Sequence, residues 1–129
     1  MIAIDTNVIV RYLVADQSEQ FRRATALIEA EQVFVPSTVA LEAEWVLRAI
    51  YRLNRAAILG ALRKFAALPT VAFENMGILT QALDWAEQGM DFADALHLSS
   101  AAGCVAFASF DRGLKQTAAK LGAPAVRAP

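Results

Sequence analysis

Short apolar runs alternate with longer segments of helical period along the chain. Met1-Ile2-Ala3-Ile4 is uninterrupted, so residues 1–5 read as a buried strand closed by Asp5. Thr6 and Asn7 are helix-entry residues, which predicts a helix over Thr6 to Val14. After the break Asp16-Gln17-Ser18, the segment Glu19 to Glu31 places Phe21, Ala24, Leu27 and Ile28 on one helical face. Val33-Phe34-Val35 is a short strand stopped by Pro36, and Ser37 is the expected N-cap of a helix reaching about Tyr51. Asn54 should cap the next helix, Arg55 to Leu68, which Pro69 ends. Thr70 to Phe73 reads as strand, and Asn75 to Gln88 as helix with Gly89 at C′. Asp91 to Ala102 is predicted helical, Val105 to Ala108 a strand, Asp111 to Leu121 a helix ended by Gly122, and Ala125-Val126 a last edge strand.

This alternation predicts an α/β protein, a three-layer α/β/α sandwich around a mostly parallel central sheet. No repeat, linker or low-complexity stretch interrupts it, so residues 1–129 are expected to form a single domain, a length suited to one core.

Composition adds partners to this picture. Hydrophobic residues make up 57% of the chain and the mean hydropathy is +0.38, a surplus that reads as helical faces awaiting a partner. A membrane span is excluded, because none of the apolar stretches approaches the roughly 18 residues it needs. The run from Ala95 to Phe110 is broken by His97, Ser99, Ser100, Gly103 and Ser109. The N-terminus shows no basic region ahead of an apolar one, so no secretory signal is expected. The single cysteine, Cys104, lies in an apolar run and reads as a small buried hydrophobe; with no internal disulfide available, a reducing cytoplasm is expected. Trp45 and Trp85 read as core. Net charge is −1, so a nucleic-acid ligand would be held by local basic patches rather than by a global field.

The candidate chemistry is acidic. Asp5 ends the first strand and Asp111 follows the fourth, positions where open α/β sheets place ligands. Glu42 and Asp94 lie inside otherwise apolar helical patterns. Buried carboxylates are costly unless a positive charge sits among them. Gathered together, these four would form a hard-oxygen site for Mg²⁺ or Mn²⁺ of the kind that acts on phosphate esters. Each has a plainer reading. Asp5 would be a turn residue, and Asp111 the N-cap of its helix. Glu42 competes with Glu44 about 200° around the helix. Glu42 aligns with Thr38, Val39, Trp45 and Val46 on the apolar side, whereas Glu44 can pair with Arg48 at i+4 on a wetter side, which favours Glu42 as the site residue. Asp91 reads as an N-cap with Asp94 in a capping box.

Taken in order, Ile4-Asp5-Thr6-Asn7-Val8, Val39-Ala40-Leu41-Glu42 with Glu44-Trp45-Val46-Leu47, Asp91-Phe92-Ala93-Asp94-Ala95-Leu96 and Ser109-Phe110-Asp111-Arg112 resemble the PIN domain over the whole chain. More narrowly, the chain is similar to the VapC-type toxins of bacterial and archaeal toxin–antitoxin pairs. The resemblance implies a metal-dependent endoribonuclease leaving 5′-phosphate and 3′-hydroxyl ends, inhibited by a cognate antitoxin and usually dimeric. Carried over by position, Asp5, Glu42, Asp94 and Asp111 would be the catalytic, metal-binding acids, with Asn7 and Ser109 as polar support and Asp91 sharing the metal or orienting a ligand. Ser109 stands where Thr is usual and keeps the hydroxyl; Leu114 stands where an aromatic is common.

Basic residues near these acids are candidates for gripping RNA: Arg11, Arg112, and the stretch Arg48, Arg52 and Arg55, each of which also reads as an ordinary surface charge. His97, three residues after Asp94, reads first as a satisfied structural histidine, with RNA contact or a proton shuttle as the functional alternative. Phe21, Leu27, Ile28, Val46, Leu47, Ile50 and Tyr51 are candidates for an antitoxin groove, some of them necessarily core. Rival readings are a haloacid-dehalogenase-like phosphatase, in which Asn7 stands where a second Asp is needed, a receiver-like phosphoacceptor module, and a catalytically inactive PIN-fold binding module.

Overall fold

The computed structural model describes all residues from Met1 to Pro129 and resolves into two compact units, Met1–Met76 and Gly77–Pro129. In the first, β1 (Ile2–Ala3), α1 (Thr6–Val14), α2 (Glu19–Ala30), β2 (Val33–Val35), α3 (Ser37–Ala49), α4 (Arg55–Ala66) and β3 (Val71–Phe73) follow one another. Helical crossovers return the chain to the same side of the sheet, so the strands pair in parallel in the order β1-β2-β3. The register is Ile2↔Val33 and Ala3↔Phe34 on one side of β2, and Val33↔Val71 and Val35↔Phe73 on the other. Val33 and Val35 are fully buried in the central strand, while β1 is an exposed edge and only Ile4 of the opening run is buried. The expectation of a buried first strand therefore holds for its last apolar residue alone.

Helix α1 packs on α2 and α3, α3 on α4, and α4 on β3. Ile9, Val10, Ile28, Leu47, Ile58, Leu62 and Phe65 fill the core, and Phe65 meets Tyr12 and Phe73 edge-on with ring centroids 5.4 and 6.1 Å away. Ile28 and Leu47 are thus core rather than groove residues. The buried stripe of α3 is Ala40, Ala43, Glu44 and Leu47. This reverses two expectations. Trp45, one residue off the stripe, is 51% exposed, and Glu44, not Glu42, faces inward. Two of the four buried positions are alanines, so the buried side is not the side with the largest residues.

Ser18 and Asn54 cap α2 and α4 through their side chains. Ser37 is not a cap. Pro36 occupies that position without a side-chain hydrogen bond, and the Ser37 amide donates instead to Glu74 Oε1 at 2.9 Å. A carboxylate from beyond β3 therefore does the work of a local cap.

The second unit holds α5, which starts at the boundary (Met76–Glu87), then α6 (Phe92–Ser100), β4 (Phe107–Ala108), α7 (Arg112–Leu121) and β5 (Val126–Arg127). β4 and β5 pair in parallel, Phe107↔Val126 and Ala108↔Arg127, and α7 packs on β5. Trp85 is buried at 7% exposure, as expected, and Leu83, Phe92, Leu98, Leu114 and Val126 of the same unit are buried too. Gly89 and Gly122 take positive φ (111° and 72°), the conformations that end α5 and α7. Cys104 and Val105 are exposed, against the expectation of a buried strand there. Strand pairing begins only with the Phe107 amide on the Ala125 carbonyl at 2.8 Å, because β5 offers just two residues to pair with.

Candidate functional site

In the first unit, the Ile4 amide binds the Phe34 carbonyl at 3.0 Å, so Asp5 emerges where the strand runs out. Its extended backbone (φ −81°, ψ 164°) and its side chain, which accepts from the Thr6 amide at 2.7 Å, make it the N-cap of α1. Thr6 is buried, and its hydroxyl donates to Glu42 Oε1. One residue thus serves two acids, giving its amide to Asp5 and its hydroxyl to Glu42. Both carboxylates are exposed and neither is in a salt bridge. Two adjacent acids with no cation between them are a natural seat for a positive ion. The sequence marks Thr6 only as a helix-entry residue, not as a partner of the acids. Its only signal there is a β-branched hydroxyl residue directly after the acid.

In the second unit, Asp91 caps α6 by accepting from the Asp94 amide at 3.1 Å, as the capping pattern predicts. The Asp94 carboxyl is held above the usual carboxylate range by burial first, then by the neighbouring charges of Asp91 and Asp111, with His97 partly opposing them. Asp111 caps α7 by accepting from the Leu114 amide at 3.0 Å, and its own amide donates to Ser109 Oγ at 3.0 Å. Ser109 therefore supports Asp111 directly. His97 is exposed and stacks on Phe107, with ring planes 11° apart and centroids separated by 6.3 Å.

The cations divide by role. Arg48 pairs with the buried Glu44, Nε to Oε2 at 2.9 Å, so its guanidinium is engaged within α3. Arg11 pairs with Asp16 at 3.2 Å and lines, with Asn7, Gln20 and Arg23, a cleft of about 390 Å³ along α1 and α2. Arg112 lines a cleft of about 570 Å³ beside Asp111, with Phe110, Lys115 and Gln116, three residues that the sequence had not marked.

No group of three or more His, Cys, Asp or Glu side chains stands close enough together to cage a metal ion by itself, so no set of three acids is brought together. Mg²⁺ needs no such cage, since it keeps several waters and binds through one or two carboxylates plus phosphate oxygens. The donors available in each unit are all carboxylate oxygens, the chemistry that Mg²⁺ and Mn²⁺ prefer. No helix is long and apolar enough to cross a membrane.

A family model described as PIN domain matches residues 2–120. Among solved structures, the chain is similar to Mycobacterium tuberculosis VapC20, a Sarcin-Ricin loop cleaving toxin, at 20% identity over 98% of this chain and 99% of that one, with a TM-score of 0.45. A search of curated proteins found no match.

Proposed function

The chain belongs to the PIN-domain family, and from that premise we propose that it is a divalent-metal-dependent endoribonuclease, the toxin of a type II toxin–antitoxin pair. The observation that carries this reading is the carboxylate set in each unit: Asp5 and Glu42 bridged by Thr6 with no salt bridge to either, and Asp94 crowded by Asp91 and Asp111 and only partly relieved by His97. The family match covers residues 2–120 and so runs through both units, which supports reading residues 1–129 as one domain.

In this reading Asp5, Glu42, Asp94 and Asp111 hold Mg²⁺ or Mn²⁺. When bound, the ion lowers the pKa of a coordinated water and offsets the phosphate's negative charge. The chain's residues do the rest. Asp5 is fixed by its cap to α1, and Thr6 orients Glu42. Ser109 holds the loop that presents Asp111, and Asp91 fixes the first turn of α6 beneath Asp94. Arg11 and Arg112 attract the RNA backbone. A cognate antitoxin and a second copy of the chain are the proposed protein partners, in the cytoplasm. Trp45, Ile50 and Leu53 leave apolar surface exposed at and just beyond the end of α3, in keeping with such partners.

The test is cleavage of a panel of structured and unstructured RNAs with Mg²⁺, Mn²⁺ or EDTA. Metal-dependent endonucleolytic cuts that disappear in Asp5→Asn, with its thermal melt unchanged, are expected. Cleavage that persists in EDTA, or in Asp5→Asn, overturns the proposal.

A further inference from the structure

Phe110 is 87% exposed, although leaving a large ring in water forgoes about 2 kcal/mol of burial. It sits in the three-residue link between β4 and α7, flanked by Ser109, whose hydroxyl is engaged, and Asp111, which is held as a cap. The ring is therefore carried on an anchored loop. It lines the 570 Å³ cleft with Arg112, Lys115 and Gln116, exposed polar side chains from the first turns of α7. Neither Arg112 nor Lys115 is in a salt bridge. The volume falls in the range of about 300–1,000 Å³ that accepts ligands of nucleotide size.

An exposed aromatic with unpaired cations two and five positions away in the chain is the combination that binds single-stranded nucleic acid. The ring takes the π-face of a base, and the cations take phosphates. We propose that this cleft is a nucleotide subsite for unpaired RNA beside the scissile bond. Phe110 stacks one base, Arg112 and Lys115 bind its flanking phosphates, and Gln116 meets a base edge. Asp111 lies in the same lining, so the stacked nucleotide is held next to the acid set. The inference rests on the ribonuclease reading and adds a substrate preference: bases already stacked inside a duplex cannot use the ring.

The experiment measures binding of a labelled single-stranded RNA and of its duplex by fluorescence anisotropy, in an Asp5→Asn background that prevents cleavage. Phe110→Ala and Phe110→Leu should weaken single-strand binding by about 5- to 100-fold, the worth of one stacked base. Phe110→Trp should restore it, and duplex binding should not move. Leu binding as well as Phe, or equal losses for both RNAs, overturns the subsite. Loss of antitoxin binding in Phe110→Leu with RNA affinity intact assigns the ring to the protein partner and also overturns it. The two readings fail separately: cleaving wild-type protein with an indifferent Phe110 sinks only the subsite, whereas wild-type protein that cuts no RNA with metal sinks the nuclease.

Discussion

Removing the Arg48 guanidinium should cost stability and leave RNA affinity largely alone. Its partner Glu44 has a side chain only 8% exposed, whereas that of Arg48 is 49% exposed. Breaking a fully buried pair leaves an uncompensated charge and costs about 3–5 kcal/mol. Here one partner is half in water, and truncating it opens a path for solvent to the carboxylate, which lowers the figure to about 1–2 kcal/mol. With an unfolding entropy of roughly 2.1 cal/mol/K per residue, that is a fall in Tm of about 4–7 °C for a chain of this length. Arg48→Ala, Glu44→Gln and the double variant, followed by thermal and urea unfolding, form a double-mutant cycle. The double variant should lose less than the sum of the singles, because the pair is removed together. Arg48→Ala with unchanged Tm but weaker, less salt-sensitive RNA binding would refute the structural role and return Arg48 to the RNA-gripping set.

Three further outcomes follow from the geometry of the acids. Thr6→Val removes the hydroxyl that reaches Glu42; because Glu42 is exposed and water can replace the donor, stability should drop by only about 1 kcal/mol, while cleavage falls sharply and Thr6→Ser retains it. Asp94 is held above its ordinary 3.8, so the folded state binds its proton more tightly than the unfolded state. Its contribution to stability is therefore full below that value and is lost as pH rises through the folded pKa. Metal-free Asp94→Asn should accordingly melt higher than wild type at neutral pH, and it should gain less from added Mn²⁺. A Cβ at Gly113 would stand 3.2 Å from Asp111 Oδ1. Gly113→Ala should thus gain about 1 kcal/mol of helix propensity and lose a similar amount at the disturbed cap. Net stability barely moves while cleavage drops, and unaffected cleavage would mean that Asp111 only caps α7.

Much of the fold is written in local chemistry. Asn54, Asp91 and Asp111 each cap the helix that their position predicts, while Asp5, read as a strand end, and Ser18, read as part of a break, also turn out to be caps. Gly89 and Gly122 end theirs through positive φ. What the sequence hides is partnership across long separations. Ser37 looks like a cap until Glu74 arrives from β3. Thr6 looks like an ordinary helix start until its hydroxyl meets Glu42. The facing of α3 also misleads: pattern-reading weights Trp45, but the side that is buried includes the small Ala40 and Ala43. Cys104 and Val105 form an apolar run, yet an apolar run becomes strand only where a partner strand reaches it. The acids of the candidate site were legible because each stands at a strand end or in a first or second helical turn. The ring of Phe110 was not, since nothing in the sequence around a lone aromatic says whether the fold buries it or leaves it in water.

The central claim is that the acids Asp5, Glu42, Asp94 and Asp111 bind divalent metal, and Mn²⁺ titration by calorimetry tests it most directly. Wild-type protein should show saturable binding that is strongly weakened by Asp5→Asn and by Asp94→Asn. Wild-type affinity retained in either variant, or no binding heat in the wild type, would contradict it.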